Sequence, residues 1–255
     1  MNKQNRLNIV DEARGFTLIS MILYHFMWDL KYIAMFDIDW YAGPVGYVWQ
    51  KSICISFIFI SGFCFCFGKN RLKRSARIFI CGIVITTVTL IVMPENRIVF
   101  GILTFIGTAG IFTILVDRLH TRLEKILNKK TLNLTMIIGM VLLFVVFFRV
   151  NDGFIYILKR TELPKYLYKG YIATFVGFPD PTFFSTDYFA ILPWTFLYLA
   201  GYYTNRVVMN NNKIVTCLSE NHIPIISNIG RKSLIIYMFH QPVLYAIMLL
   251  IQNIK

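Results

Sequence analysis

The chain has 255 residues, of which 56% are hydrophobic and only 15% charged, and its mean hydropathy is +0.59. Soluble domains carry about 25% charge and about half apolar residues, so a soluble globular domain and a disordered chain are both excluded. The 26 Lys and Arg against 13 Asp and Glu leave a net charge of +13. Such an excess marks either nucleic-acid binding or membrane orientation, and its placement decides between them.

A membrane-spanning helix takes about 20 mostly apolar residues. Seven stretches qualify, at about Phe16–Phe36, Val45–Phe67, Ile78–Met93, Ile98–Val116, Leu132–Phe148, Tyr188–Tyr203 and Ser233–Ile251. They predict an all-α polytopic membrane bundle of about 7 helices (7–8), with residues 1–255 as a single domain. With the N-terminus inside, the inner segments include Lys3, Arg6, Arg14, Lys69, Arg71 and Arg231. They hold 17 basic and 5 acidic residues, net +12, against 9 and 8 outside, net +1. Lys/Arg bias of this kind sets topology. The charge therefore reads as an orientation signal, and no nucleic-acid partner is expected. The first stretch is a retained helix, because it contains His25 and Asp29 and no small-x-small cleavage site follows.

Cys54, Cys64, Cys66 and Cys81 fall in predicted spans, and Cys217 falls outside them. Cys64 and Cys66, two apart on a helix, face different directions, so they read as small apolar residues and no metal site is expected. No Gly-rich phosphate loop, HExxH or GxSxG occurs. Ser61-Gly62 and Gly107-Thr108-Ala109-Gly110 read as small-residue helix contacts. The long loop Arg149–Asp187, with Tyr156, Tyr166, Tyr168 and Tyr171, is either an interfacial aromatic belt or a cover over an outward-facing pocket. His120 and His222 fall in predicted cytoplasmic loops.

Ionisable groups inside a span are costly and mark candidate sites. Arg14 and His25 are 11 apart, within about 20° of whole helical turns, so they share a face. Asp29 follows His25 at i+4. That face reads Arg14–Leu18–Met21–His25–Asp29. A carboxylate one turn from an imidazole can fix its tautomer and raise its basicity. His25 lies about 14 Å beyond Phe16, near the midplane; the plainer reading is a hydrogen bond between helices. In the last span Ser233, Tyr237 and His240 share a face, and Pro242 is expected to kink the helix. His240 lies at a similar depth and either lines a site with His25 or serves helix packing. Asp187 and Trp194 open the sixth span, where Asp187 either binds a polar acceptor or marks the interface.

Three segments then resemble a known family. They are Arg6-Leu7-Asn8-Ile9-Val10-Asp11-Glu12-Ala13-Arg14-Gly15 followed by His25, Asp187-Tyr188-Phe189-Ala190-Ile191-Leu192-Pro193-Trp194, and Gly230-Arg231-Lys232-Ser233 through Tyr237, His240, Gln241 and Pro242. Together they look like short bacterial members of the heparan-alpha-glucosaminide N-acetyltransferase catalytic-domain family, related to O-antigen acetylase type membrane acyltransferases. Two departures stand out. Thr104 occupies a position where short members often carry His. Leu30–Pro44 lacks the His that the lysosomal enzyme is thought to use in its first non-cytoplasmic loop.

The resemblance implies a bacterial plasma-membrane acetyltransferase with a cytoplasmic N-terminus. It would move acetyl from cytoplasmic acetyl-CoA to a sugar amine or hydroxyl, on a carbohydrate or glycoconjugate acceptor, at the outer face. His25 is the expected general base and Asp29 its orienter. His240 and Tyr237 are expected to position the thioester or donate to the oxyanion. Arg14 and Arg231 are expected at the CoA phosphates, with a positive-inside anchor as the plainer role of Arg14. Asp187 and Trp194 are expected at the acceptor. The alternative is a proton-coupled transporter or flippase of a small polar or lipid-linked substrate. The sequence leaves the oligomeric state open.

Overall fold

The computed structural model describes residues 6–68 and 70–254; Lys3 and Lys69, two of the expected inner-face cations, lie outside the described residues. The helices in chain order are α1 (Asn8–Tyr32), α2 (Asp39–Ala42), α3 (Pro44–Phe63), α4 (Arg71–Val92), α5 (Ile102–Leu123) and α6 (Lys129–Phe147). They continue with α7 (Gly170–Val176), α8 (Ile191–Val208), α9 (Asn212–Ser219), α10 (Pro224–Arg231) and α11 (Ser233–Ile254). Between α6 and α7 sits a small departure from the all-helical expectation. Strands β1 (Phe154–Tyr156) and β2 (Arg160–Glu162) pair antiparallel, with Tyr156 opposite Arg160.

Among the described residues, five segments are long and apolar enough to cross a membrane: Pro44–Phe67, Arg71–Val92, Ile102–Leu123, Lys129–Asp152 and Ser233–Ile251. The chain is thus a multi-pass helical membrane protein. The expected count of about seven is not confirmed by this criterion. The first and sixth stretches do form α1 and α8, but neither is among the five. Arg14, His25, Asp29 and Lys31 dilute the apolar run of α1, and three tyrosines with Asn205 and Arg206 dilute that of α8. Exposed Ile80, Val88 and Ile91 on α4, and Ile138, Leu142 and Val145 on α6, suit hydrocarbon surroundings.

Backbone contacts divide the chain into two compact units, Met1–Ile60 with Asn211–Lys255, and Ser61–Asn210. In the first, α1 packs against α9, α10 and α11. Its predicted face is turned inward, with Leu18, Met21 and Asp29 buried. The crossing with α10 is set by two glycines. A Cβ on Gly15 would lie 2.3 Å from the Ile226 carbonyl oxygen, and one on Gly230 would lie 1.9 Å from that of Asp11. Only glycine permits helix backbones to approach so closely. Side chains tie the same helices: Glu12 accepts the Ile223 N–H at 2.9 Å, and Asn8 donates to the Ser219 carbonyl at 2.7 Å. Trp49 on α3 donates its indole N–H to Ser20 at 2.8 Å, and Tyr41 donates to the Tyr24 carbonyl at 3.2 Å.

In the second unit, α4 and α5 form a hairpin turned at Pro94–Asn96. Gly107 and Gly110 allow it, since added Cβ atoms would lie 2.6 Å from Phe79 and 2.3 Å from the Ser75 hydroxyl. The expected role of the Gly107–Gly110 segment in close helix packing is what the geometry shows. Gly62 likewise lies against the Tyr198 backbone. α6 packs on α8. One end of the unit is pinned by a polar cluster. Asp117 accepts from Arg71 at 2.7 Å, from Arg206 at 2.9 Å and from the Tyr202 hydroxyl. Arg206 also donates to Glu124 at 2.6 Å. His120 is buried in α5 beside Glu124, at 3.3 Å, rather than in a loop. The helix extends past the expected span end at Val116, because these polar partners satisfy its last turn.

Candidate active site

Six of the eight candidate residues come together in the first unit. His25 on α1 and His240 on α11 face one another, with ring centroids 5.0 Å apart and planes 57° from parallel. The Tyr237 ring lies 5.2 Å from that of His240 and 6.0 Å from that of Phe57. His240 Nδ1 is 2.5 Å from the Tyr237 carbonyl oxygen. A carbonyl only accepts, so Nδ1 carries the proton. In the neutral ring Nε2 then holds the lone pair. That Nε2 is buried and has no hydrogen-bond partner.

Asp29 is fully buried on the same face, but its carboxylate does not bond to His25. Gln241 Nε2 donates to Asp29 Oδ1 at 3.0 Å. This corrects the expected Asp29–His25 pairing. The carboxylate leans across to α11 instead of along its own helix, because the amide of Gln241 is there to donate. Asp29 Oδ2 and Gln241 Oε1 are both buried without a partner. These two and His240 Nε2 are buried polar atoms without a hydrogen-bond partner among the described residues. Gln241 carried no assigned role in the sequence; its position directly after His240 was the available signal.

At the other end of α1, one carboxylate gathers three guanidinium groups. Asp11 is 6% exposed. It accepts from Arg6 Nε at 2.7 Å, from Arg14 Nη1 at 3.4 Å and from Arg231 Nε at 3.4 Å. Arg14 also donates to the Gly230 carbonyl at 3.3 Å. Arg231 spends its two other nitrogens on Asn228 and Asn8, at 3.1 and 2.8 Å. One negative charge against three positive ones leaves a cationic surplus, and guanidinium groups suit phosphate oxygens. Asp11 was missed as the organiser; its i,i+3 spacing to Arg14 was the clue.

Asp187 and Trp194 belong to the second unit. Asp187 Oδ2 accepts the N–H of Ile102, the first residue of α5, at 3.3 Å. It caps that helix. Burial pushes its carboxyl up to about 6, against the Ile102 N–H, which pulls it down. Trp194 is buried in an aromatic cluster with Phe189 and Phe144, at 5.2 and 5.6 Å. Both residues thus have structural partners where contact with an acceptor was expected. The long loop does line a cavity of about 110 Å3, with Arg97, Tyr171, Asp180, Thr182 and Phe183 in its wall.

Fold and site together define a multi-pass helical membrane protein in which α1 and α11 bring two histidines together and three arginines gather on Asp11 of α1. The family model described as heparan-alpha-glucosaminide N-acetyltransferase, catalytic, matches residues 6–242, and the chain belongs to that family. No curated protein and no solved structure matches it. Membership places the chain among membrane acetyltransferases.

Proposed function

We propose that the protein transfers acetyl from cytoplasmic acetyl-CoA to a sugar amine or hydroxyl at the outer face of a bacterial plasma membrane, with its N-terminus inside. The carrying observation is the His25–His240 pair, 5.0 Å apart, with an unpartnered His240 Nε2. The arginine cluster stands roughly 16 Å away along α1, at about 1.5 Å per residue. Arg14 and Arg6 hold phosphate oxygens of the donor, and Arg231 fixes Asp11 beneath them. The donor's thioester then reaches the histidines from the arginine end, and the acceptor reaches them from the opposite end.

The two imidazoles handle the acceptor proton. His240, oriented by the Tyr237 carbonyl, presents Nε2 as the proton acceptor. His25 stands close enough to share that task, and remains a candidate base. The acceptor oxygen or nitrogen attacks the thioester carbonyl carbon, the C–S bond breaks, and the proton passes to the departing thiolate through the imidazole pair. Asp29 and Gln241 supply acceptors for hydroxyl groups of the incoming sugar. The test is transfer from labelled acetyl-CoA by the purified protein in lipid. Incorporation into an amino sugar or sugar hydroxyl that depends on both histidines is the expected result. Full activity in both His25→Ala and His240→Ala would overturn the reading.

A further inference from the structure

We infer that the β1–β2 hairpin is a membrane-contact device whose tip rests in the headgroup layer of the phospholipid bilayer. The hairpin begins at Phe154, just past the end of the span Lys129–Asp152. Its strands have three residues each, so the tip lies on the order of 10 Å from the strand's start. That reach is comparable with the interfacial layer flanking the hydrocarbon core. Gly153 accepts the Leu163 N–H at 2.8 Å, and Arg160 lies 4.2 Å over the Phe154 ring, which closes the base of the hairpin.

The tip itself is Ile157-Leu158-Lys159. Short hairpin loops are usually built from Gly, Asn or Asp, which tolerate the turn and stay in water. This one presents Ile157 at 64% and Leu158 at 101% exposure, next to exposed Tyr156. Ile155, by contrast, is buried on the inner side of β1. Two exposed aliphatic side chains, an adjacent tyrosine and a flanking lysine match what the interface rewards. Aliphatic groups enter the acyl boundary, tyrosine sits at headgroup level, and cations meet phosphate. The only acid on the hairpin, Glu162, is paired with Arg160 at 3.8 Å. The occupant is therefore a phospholipid surface of net negative or zwitterionic charge. This inference does not depend on the acetyltransfer reading.

The test uses the full chain in vesicles of phosphatidylcholine and phosphatidylglycerol brominated near the headgroup end of the acyl chains. Leu158→Trp adds one fluorophore at an exposed position, and its emission is read as the difference from the unsubstituted protein. The added emission is expected to lose most of its intensity to the brominated lipid and to resist soluble iodide. Ile157→Trp repeats the measurement, should the first variant fold poorly. Quenching by iodide and not by brominated lipid overturns the inference in favour of a solvated loop. Shielding from both quenchers overturns it in favour of a protein surface, such as a second copy of this chain.

Discussion

His25 and His240 come from opposite ends of the sequence and meet with their rings 5.0 Å apart. The packing of α1 with α11 is what brings the two imidazoles together. Substituting either by alanine is expected to lower acetyl transfer by about 100-fold or more, the usual worth of a positioned acid–base group. The double variant should lose little beyond the worse single one, since groups acting as a unit are not additive. Rates from labelled acetyl-CoA, with melting temperatures to confirm folding, check both points.

Among the described residues, Gln241 is the one hydrogen-bond donor to the buried Asp29 carboxylate. Gln241→Ala should therefore destabilise the protein by about 1–3 kcal/mol, the cost of stranding a buried polar group. Gln241→Glu should be worse, because it sets two carboxyl groups against each other. Thermal unfolding in detergent distinguishes the two variants. Equal melting temperatures for all three proteins would remove the pair from the account of stability.

The Gly15 and Gly230 backbones touch the opposite helix directly. Alanine at either position must push α1 and α10 apart, at a cost of about 1–3 kcal/mol or more. The arginine cluster spans the same crossing, so donor binding should weaken as well. The expected signature is a raised KM for acetyl-CoA together with a lower melting temperature. An unchanged KM in Gly230→Ala would separate the crossing from the donor site.

Asp11 holds three arginines, each of them partly exposed. Asp11→Asn should cost about 1–2 kcal/mol, less than a fully buried pair would because water screens the cations. Losing the carboxylate also raises the local positive charge, so loss of stability without loss of anion affinity is expected. Melting temperature and acetyl-CoA titration measure the two effects separately.

Asp187 offers a pH test. Its carboxyl is raised from 3.8 to about 6 in the folded protein. A raised acid favours folding while protonated, so its contribution is complete below about pH 4 and disappears as pH rises through about 6. Asp187→Asn keeps an acceptor for the Ile102 N–H without the buried charge. The variant should match the parent near pH 4 and exceed its stability above pH 6, by about 1–3 kcal/mol. A parent that is more stable than the variant at pH 7.5 would contradict this.

The inward face of α1 was legible in the sequence, because Leu18, Met21, His25 and Asp29 repeat at helical spacing. So were the five most apolar spans and the contact glycines of α5. The partners across helices were not legible. Asp29 has His25 as its neighbour along the chain, and nothing in a single-helix pattern reveals that Gln241, 212 residues later, takes the bond. Asp187 was ambiguous for a related reason. A carboxylate at a span's edge looks the same whether it greets a substrate or caps another helix. His120 was placed in a loop because hydropathy ends a span at the first charges, whereas the helix continues where Asp117 and Glu124 find arginine partners.

One uninterrupted helix carries both Arg14 and His25. Their interval is therefore locked in length and in phase. Adding or deleting a single residue between them would swing one end by about 100° relative to the other. Evolution could lengthen or shorten this reach only in near-whole turns, of three or four residues at a time. The helix works as a gauge, and the distance from Arg14 to His25 is written into it as a count of residues.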